Sequence, residues 1–151
     1  MSIRSATLAD IERLLPAMQD FYVLEKLPWD RARQQRLLQE LIDQPECGYL
    51  LLAEQQGELA AYAVVGLCYG LEFHGRFALL DELYVLPQFQ GIGLASRMLE
   101  ACETVARARG CNALRLEVSD DNPRARAIYE KRGYRVVQPR RLMSHWLEQD
   151  A

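Results

Sequence analysis

The stretch LYVLPQFQGIGLA, residues 83–95, combines the end of a strand, a turn with two glycines and the start of a long helix. Pro87 closes the strand, and a turn with Gly91 and Gly93 leads into a helix that we expect to run from about Ile92 to Arg109. In this geometry unpaired N–H groups and the positive end of a helix dipole point at one spot. Glycine lets an anion approach the backbone closely. The stretch therefore predicts an anion site suited to a pyrophosphate.

This turn differs from the common nucleotide-binding loops. The P-loop pattern GxxxxGK[ST] is absent, and the spacing Gln88-x-x-Gly91-x-Gly93 is not the GxGxxG of dinucleotide-binding proteins. An ordinary tight turn would also explain the two glycines. From the residues alone, both interpretations remain open.

Composition narrows the class of protein. The 151 residues suit about one domain with its own hydrophobic core, and half of them are hydrophobic. The formal net charge of -3 gives no basic excess for binding nucleic acid. No apolar run is long enough for a bilayer, and Met1–Arg4 lacks the apolar stretch of a signal peptide. We expect a cytoplasmic protein with neither nucleic acid nor membrane as partner.

The cysteines and histidines predict no metal site. Four cysteines form no CxxC pair and have no histidine at metal-ligand spacing. We expect them to be reduced, structural thiols. The residues concerned are Cys47, Cys68, Cys102 and Cys111, with His74 and His145.

The first third of the chain predicts a short strand and two helices. Thr7 is the expected N-cap of a helix whose apolar residues recur at helical spacing from Leu8 to Tyr22. Because Pro16 lies inside this pattern, we expect the helix to kink or restart there. A second helix follows, with Asp30 as its expected cap and its end before Pro45.

The rest of the chain predicts a mixed α/β domain. A further helix is expected between Pro123 and Gly133. The order is β-α-α-β-β-β-α-β-α-β-β, without an internal repeat or linker, so we expect one domain over residues 1–151. The expected strands after the second helix are residues 48–54, 58–68, 77–86, 113–118, 134–137 and 142–147.

A second pattern lies about thirty residues beyond the glycine turn, in NPRARAIYEKRGY, residues 122–134. Ala125, Ile128 and Tyr129 are three and four residues apart, so they share one helix face. A lone tyrosine on such a face usually packs in the core, with its hydroxyl satisfied by a neighbour.

In combination, the two patterns resemble the GNAT superfamily of N-acetyltransferases. Gln88-x-x-Gly91-x-Gly93 is similar to the family's acetyl-CoA signature Q/R-x-x-G-x-G/A, with Gln90 where many members have Arg. Residues 122–134 are similar to the family's N-x-x-A-x-x-[LI]-Y-x-x-x-G-[FY] segment. The strong resemblance covers residues 81–134, and the rest agrees in element order. It implies an α/β fold with a mixed, mostly antiparallel central sheet, a V-shaped splay and about four flanking helices.

The resemblance also implies a reaction and its residues. An acetyl group would pass from acetyl-CoA to a primary amine of a small polyamine-like or amino-acid-like molecule, in a ternary complex without metal. Tyr129 would act as general acid for the leaving thiol, with Asn122 and Ala125 beside the coenzyme. Coenzyme contacts are further implied for Leu83, Tyr84, Val85, Gln88, Phe89, Gln90, Gly91, Ile92, Gly93, Leu94 and Ala95.

Two adjacent carboxylates are candidates for the base. A protonated amine cannot attack a thioester, so a base must remove a proton, and Asp81 and Glu82 lie in an otherwise apolar strand. Strand neighbours point to opposite faces, but a bulge would exchange those faces. The resemblance gives Asp81 the position of the base in polyamine-acetylating relatives, and Glu82 that of a frequent acid in the similar bacterial branch. Both candidates stay open.

The acceptor site is expected between the first helical pair and the loop at residues 70–75. Aromatic and acidic side chains together suit a cationic amine, although aromatic residues on an amphipathic helix also serve packing. The candidate substrate-binding residues are Phe21, Tyr22, Glu25, Trp29 and Glu72.

Two alternative functions follow from the same patterns. The chain could be a protein or peptide N-acetyltransferase, or a noncatalytic acyl-CoA-binding sensor that needs only the glycine turn. The apolar segment Leu142–Leu147 could pair across a homodimer.

Overall fold

The structure, a computed structural model, describes residues 1–148. These residues fall into two compact units, one of residues 1–117 and one that starts at Val118. The first unit contains β1 (Ser2–Ser5), α1 (Ile11–Leu24), α2 (Arg31–Asp43), β2 (Gly48–Gln55), β3 (Glu58–Gly70), β4 (Gly75–Val85), α3 (Leu94–Ala108) and β5 (Leu114–Leu116). Short 3₁₀ helices lie at Leu8–Asp10, Leu71–Phe73 and Pro87–Phe89.

A five-stranded mixed sheet organises this unit, in the order β1-β2-β3-β4-β5. The first four strands pair antiparallel, whereas β4 and β5 pair parallel through the α3 crossover. Gln56 and Gly57 connect β2 to β3 with φ values of 52° and 81°, as a tight hairpin turn requires. This sheet confirms the predicted α/β fold class.

The helices cover both faces of the sheet. Leu14 and Met18 of α1 pack fully buried with Leu52 and Tyr62 on one face. On the other face, the Tyr49 hydroxyl donates a hydrogen bond of 2.7 Å to the Cys102 carbonyl of α3. The two faces separate because successive strand side chains alternate.

Local signals explain most helix boundaries. The Asp30 carboxylate accepts a hydrogen bond of 3.0 Å from the Arg33 N–H, which confirms the predicted cap of α2. Pro16 was expected to kink or restart the helix; it lies inside α1, which runs without a break, so the helix does not restart there. Proline removes one helical hydrogen bond, but the buried residues around it, including Leu15 and Ala17, hold the helix against the core.

The second unit contains α4 (Pro123–Lys131), with Asn122 as its N-cap. Gly133 follows the helix with a φ of 99°, the left-handed conformation that suits a helix stop. The predicted strands at residues 134–137 and 142–147 are wrong, because residues 134–148 form no regular strand. Leu142, Met143 and Leu147 are exposed. A strand depends on a partner and a face to pack against, so its sequence pattern alone is not enough.

Candidate active site

A β-bulge in β4 determines on which face of the sheet the residues around Asp81 and Glu82 lie. Val64 of β3 pairs with Glu82, whereas Val65, the next residue, pairs with Leu80. Asp81 is therefore the extra, unpaired residue of the bulge. Because paired residues share a face and neighbours alternate, Glu82 lies on the α1 face and Leu80 on the α3 face.

Two tyrosines hold the Glu82 carboxylate. The Tyr22 hydroxyl of α1 donates a 2.9 Å hydrogen bond to Oε2, and the Tyr62 hydroxyl of β3 donates one of 3.0 Å to Oε1. Gln34 of α2 in turn donates its Nε2 proton to the Tyr22 hydroxyl at 3.4 Å. Glu82 is only 7% exposed. Among the described residues no lysine, arginine or histidine forms a salt bridge with it, so neutral donors hold this buried anion.

Burial dominates the ionisation of Glu82. Loss of hydration raises the pKa of this carboxyl, the two phenol hydrogen bonds oppose the rise, and the charge of Asp81 adds to it. Burial, and then the charge of Glu82, raise the pKa of Tyr22 to about 12. Burial also raises the pKa of Tyr62. Both phenols therefore stay protonated donors, while Glu82 is a carboxylate of increased basicity.

Asp81 has a different environment. Its side chain is exposed, and its pKa is raised by partial loss of hydration and by the charge of Glu117 beyond β5. Water screens an exposed carboxylate, so the environment affects the ionisation of Asp81 less than that of the buried Glu82. The two carboxylates thus differ: Glu82 is buried and oriented by hydrogen bonds, whereas Asp81 is exposed.

Aromatic rings surround the Glu82 carboxylate. The ring centroids of Phe21 and Tyr84 are 5.8 Å apart, and those of Tyr22 and Trp29 are 5.3 Å apart in an edge-on arrangement. Phe21 also lies 6.4 Å from Tyr62. Three predicted substrate-binding residues, Phe21, Tyr22 and Trp29, are therefore close to one another and to Glu82.

Two other predicted substrate-binding residues lie elsewhere. Glu25 is the exposed C-cap residue of α1. Glu72 lies in the connection between β3 and β4, beyond Gly75. Gly75 precedes Glu82 by seven residues along β4, which is about 23 Å at strand rise. The structure does not bring Glu72 to the carboxylate.

The glycine turn has the expected open backbone. Gly91 and Gly93 have φ values of 82° and 80°, and no heavy atom lies within 4 Å of where a Cβ would be at either position. Gly93 is the N-cap of α3, so the first N–H groups of that helix face the turn. Gln90 donates its Nε2 proton to the Val85 carbonyl at 3.0 Å and fixes the turn to β4.

The end of β4 is splayed from its parallel neighbour. β5 pairs with Ala78–Leu80, and its ladder ends there. The following residues of β4, Asp81–Val85, keep their pairing with β3 on the other edge except at the bulge. Backbone groups at Leu83–Val85 can therefore face a ligand from the β5 side, as the predicted splay requires.

In the second unit, α4 carries the other predicted residues. The Asn122 Oδ1 accepts a hydrogen bond of 3.1 Å from the Ala125 N–H, so this asparagine caps the helix. The rings of Tyr129 and Tyr134 have centroids 6.0 Å apart. The coenzyme roles of Asn122, Ala125 and Tyr129 stay predictions.

Sequence reasoning missed Tyr62 and Gln34. Tyr62 donates to Glu82, and Gln34 donates to Tyr22. Each of these contacts joins separate elements of the fold, so no local pattern could indicate them. A cavity of about 470 Å³ is lined by Ile3, Leu51 and Arg97 on the α3 side, and Glu82 is not among its lining residues. The cavity is therefore no candidate for the acceptor site.

The described residues contain neither a metal-binding cluster nor a membrane-spanning helix. Over residues 1–148, no cluster of three or more histidine, cysteine or acidic side chains could hold a metal ion. The same residues include no helix that is long and apolar enough to cross a bilayer. Cys102 is buried, which raises the pKa of its thiol to about 12. Such a thiol is a poor nucleophile.

Comparisons with known proteins show the family and the fold of this chain. The sequence model of the Acetyltransferase (GNAT) family matches residues 14–134. The thialysine N-epsilon-acetyltransferase of Bos taurus is 31% identical over 145 residues, covering 87% of this chain and 82% of that protein. The uncharacterized N-acetyltransferase YhfO of Bacillus subtilis (strain 168) is 25% identical over 134 residues, 89% of each chain. The crystal structure of a predicted acetyltransferase with acetyl-CoA from Clostridium acetobutylicum superposes with a TM-score of 0.80 at 19% identity, over 95% of each chain.

Proposed function

The chain belongs to the GNAT family of acetyltransferases and is an N-acetyltransferase, and we propose that it transfers an acetyl group from acetyl-CoA to the primary amine of a small cationic molecule. A relative that is 31% identical carries the name thialysine N-epsilon-acetyltransferase, which describes a side-chain amine of a small amino acid. Polyamine-like and amino-acid-like amines are therefore the acceptors we expect.

The observation that carries this proposal is the buried Glu82 among aromatic rings. A carboxylate with no cationic partner among the described residues attracts an ammonium group, and the faces of Tyr22 and Trp29 favour a cation as well. A cationic amine that reaches this cluster gains the charge partner that Glu82 lacks.

The glycine turn and the splayed strand fit acetyl-CoA. Positions 91 and 93 are open where a side chain would obstruct a phosphate, and the N-terminus of α3 supplies unpaired N–H groups. When bound, acetyl-CoA supplies an acetyl thioester. We assign the pyrophosphate to residues 88–95 and the pantetheine arm to the open edge of Leu83–Val85, whose N–H groups stabilise negative charge on the carbonyl oxygen. Asn122 and Ala125 complete the coenzyme contacts.

Glu82 and Tyr129 divide the proton transfers. Glu82 takes a proton from the ammonium group, because its burial makes it more basic than an ordinary carboxylate. We assign this role to Glu82 and not to Asp81, whose exposed side chain is screened by water. Tyr129 donates a proton to the departing thiolate.

The test starts with binding and then measures turnover. Calorimetric titration with acetyl-CoA should show saturable binding, with NADH and ATP as controls that do not bind. Release of coenzyme A is then followed with thialysine, lysine, spermidine and an N-terminal peptide as acceptors. Turnover with a small amine, reduced at least about 100-fold by Glu82→Gln, is the expected result. Failure of a folded sample to bind acetyl-CoA contradicts the donor, and turnover with the peptide alone contradicts the acceptor class.

A further inference from the structure

We propose that Tyr22 is a positioning and proton-relay residue, through which Glu82 returns its proton to solvent after each turnover. The proposal rests on the proposed function, since it takes Glu82 as the base. It assigns Tyr22 a role in the proton path in addition to a surface for the acceptor amine.

The reaction requires such an exit. An ammonium nitrogen loses two protons when it becomes an amide, and only one of them ends on the sulfur of coenzyme A. The other proton, which Glu82 has taken, must leave the protein before Glu82 can act again. Glu82 itself is 7% exposed, so direct exchange between its carboxyl group and bulk water is restricted.

Only one of the two phenols on Glu82 reaches the surface. Tyr62 is fully buried, whereas Tyr22 is partly exposed at the end of α1. A phenol hydroxyl is both donor and acceptor, so Tyr22 can accept one proton while it gives up another, and the Gln34 Nε2 group holds its oxygen in place at 3.4 Å. The 2.9 Å contact with Oε2 gives the length that proton transfer requires.

The path balances with the groups present. One N–H bond of the ammonium breaks and an O–H bond forms on Glu82, and the second N–H proton balances the one that Tyr129 gives to the sulfur. The Tyr22 hydroxyl, which donates to the Glu82 carboxylate, turns its proton to water at the exposed edge once Glu82 is protonated. The Glu82 proton then passes to the Tyr22 oxygen while the Tyr22 proton passes to that water. Around Glu82, the titratable groups are Tyr22 from α1, Tyr62 from β3 and Asp81 from β4, and α2 contributes the neutral Gln34. No lysine or arginine pairs with Glu82 among the described residues, so no cation lowers the basicity with which this carboxylate takes the proton.

The experiment compares Tyr22→Phe with Tyr62→Phe. Each variant removes one hydrogen bond to Glu82, so both raise the pKa of its carboxyl, which NMR of side-chain carboxyl groups measures without any acceptor. Only Tyr22→Phe interrupts the exit. With the fastest acceptor of the panel, its kcat should fall at least about tenfold and recover as imidazole, a small proton carrier, is added at constant pH and ionic strength. Tyr62→Phe should not respond to imidazole.

Each outcome is decisive. If Tyr22→Phe keeps its kcat, or shows no recovery with imidazole while Glu82→Gln is inactive, the relay is wrong and the proposed base stands. An unchanged Glu82 titration in Tyr22→Phe also overturns the relay, because the hydrogen bond would then be absent in solution. Full activity of Glu82→Gln instead refutes the base, and with it the relay. Thermal unfolding and acetyl-CoA binding show that each variant is folded.

Discussion

Tyr62→Phe removes the buried hydroxyl group that donates to Glu82 Oε1 at 3.0 Å and leaves the aromatic ring in place. A hydrogen bond to a charged group contributes about 1.5 kcal/mol or more, and about 1.4 kcal/mol corresponds to one pKa unit. The loss acts on the ionised form of Glu82 alone. The pKa of this carboxyl should therefore rise by about one further unit above its already raised value in the native protein.

Measurements of kcat/KM and of the free energy of unfolding test this rise in pKa, and ionisation of Glu82 should affect the two quantities in opposite directions. The acidic limb of the pH dependence of kcat/KM should move about one pH unit upward, because Glu82, the proposed base, must be ionised to take a proton. Since the folded pKa lies above the unfolded one, ionisation of Glu82 lowers the free energy of unfolding as pH rises through the folded pKa. The variant should consequently lose about 1.5 kcal/mol relative to the native protein at neutral pH, and less at a pH where Glu82 is protonated.

Tyr49→Phe is a matched control, because it removes another buried hydroxyl on the opposite face of the sheet. It should change stability equally at both pH values and leave the acidic limb where it is. A Tyr62→Phe profile that superimposes on the native one would refute the reasoning. It would mean that the phenol does not act on the charge of Glu82.

Three further predictions concern the turn, the N-terminal ion pairs and the general acid. Gly93→Ala should weaken acetyl-CoA binding in calorimetry at least about tenfold. Gly57→Ala is the control, because Gly57 has a φ of 81° and Gly93 one of 80°, both in open surroundings, so the two variants should share only the backbone strain. Equal affinity of both variants for acetyl-CoA would contradict the phosphate site. Asp10→Asn should lower the free energy of unfolding by about 2 kcal/mol, because Arg4 holds the pKa of that buried carboxyl well below its usual range. This stabilisation is present above the ordinary pKa of 3.8 and is lost as pH falls towards the folded value. Equal urea midpoints of the variant and the native protein at neutral pH would contradict the prediction. Tyr129→Phe should reduce kcat about 100-fold and keep the dissociation constant of acetyl-CoA, and unchanged turnover would exclude it as general acid.

Sequence analysis anticipated the features that depend on local chemistry. The glycine turn, the cap of α2 and the order of helices and strands along the chain up to α4 follow from spacing, turn residues and periodicity. It was wrong where the outcome depends on the rest of the fold. Pro16 stays helical because the core holds α1, and residues 134–148 lack strands despite their apolar pattern.

The carboxylate system shows the same division. Asp81 and Glu82 were recognised as candidates from their place in an apolar strand. Their assignment to faces depends on the register between β3 and β4, and the donors Tyr22 and Tyr62 are 60 and 20 residues away from Glu82. Contacts of that separation leave no signal in a local window of sequence.

The bulge at Asp81 also bears on how this enzyme can diversify. Its residue has no cross-strand partner, while Leu80 and Glu82 on either side keep theirs. Deleting Asp81 would leave both neighbours on the faces they now occupy, and replacing it disturbs neither core. Substitutions at position 81 can therefore change the charge that acts on Glu82 while the register of β3 and β4 stays the same. Glu82, fixed by two hydroxyl groups, has no comparable freedom.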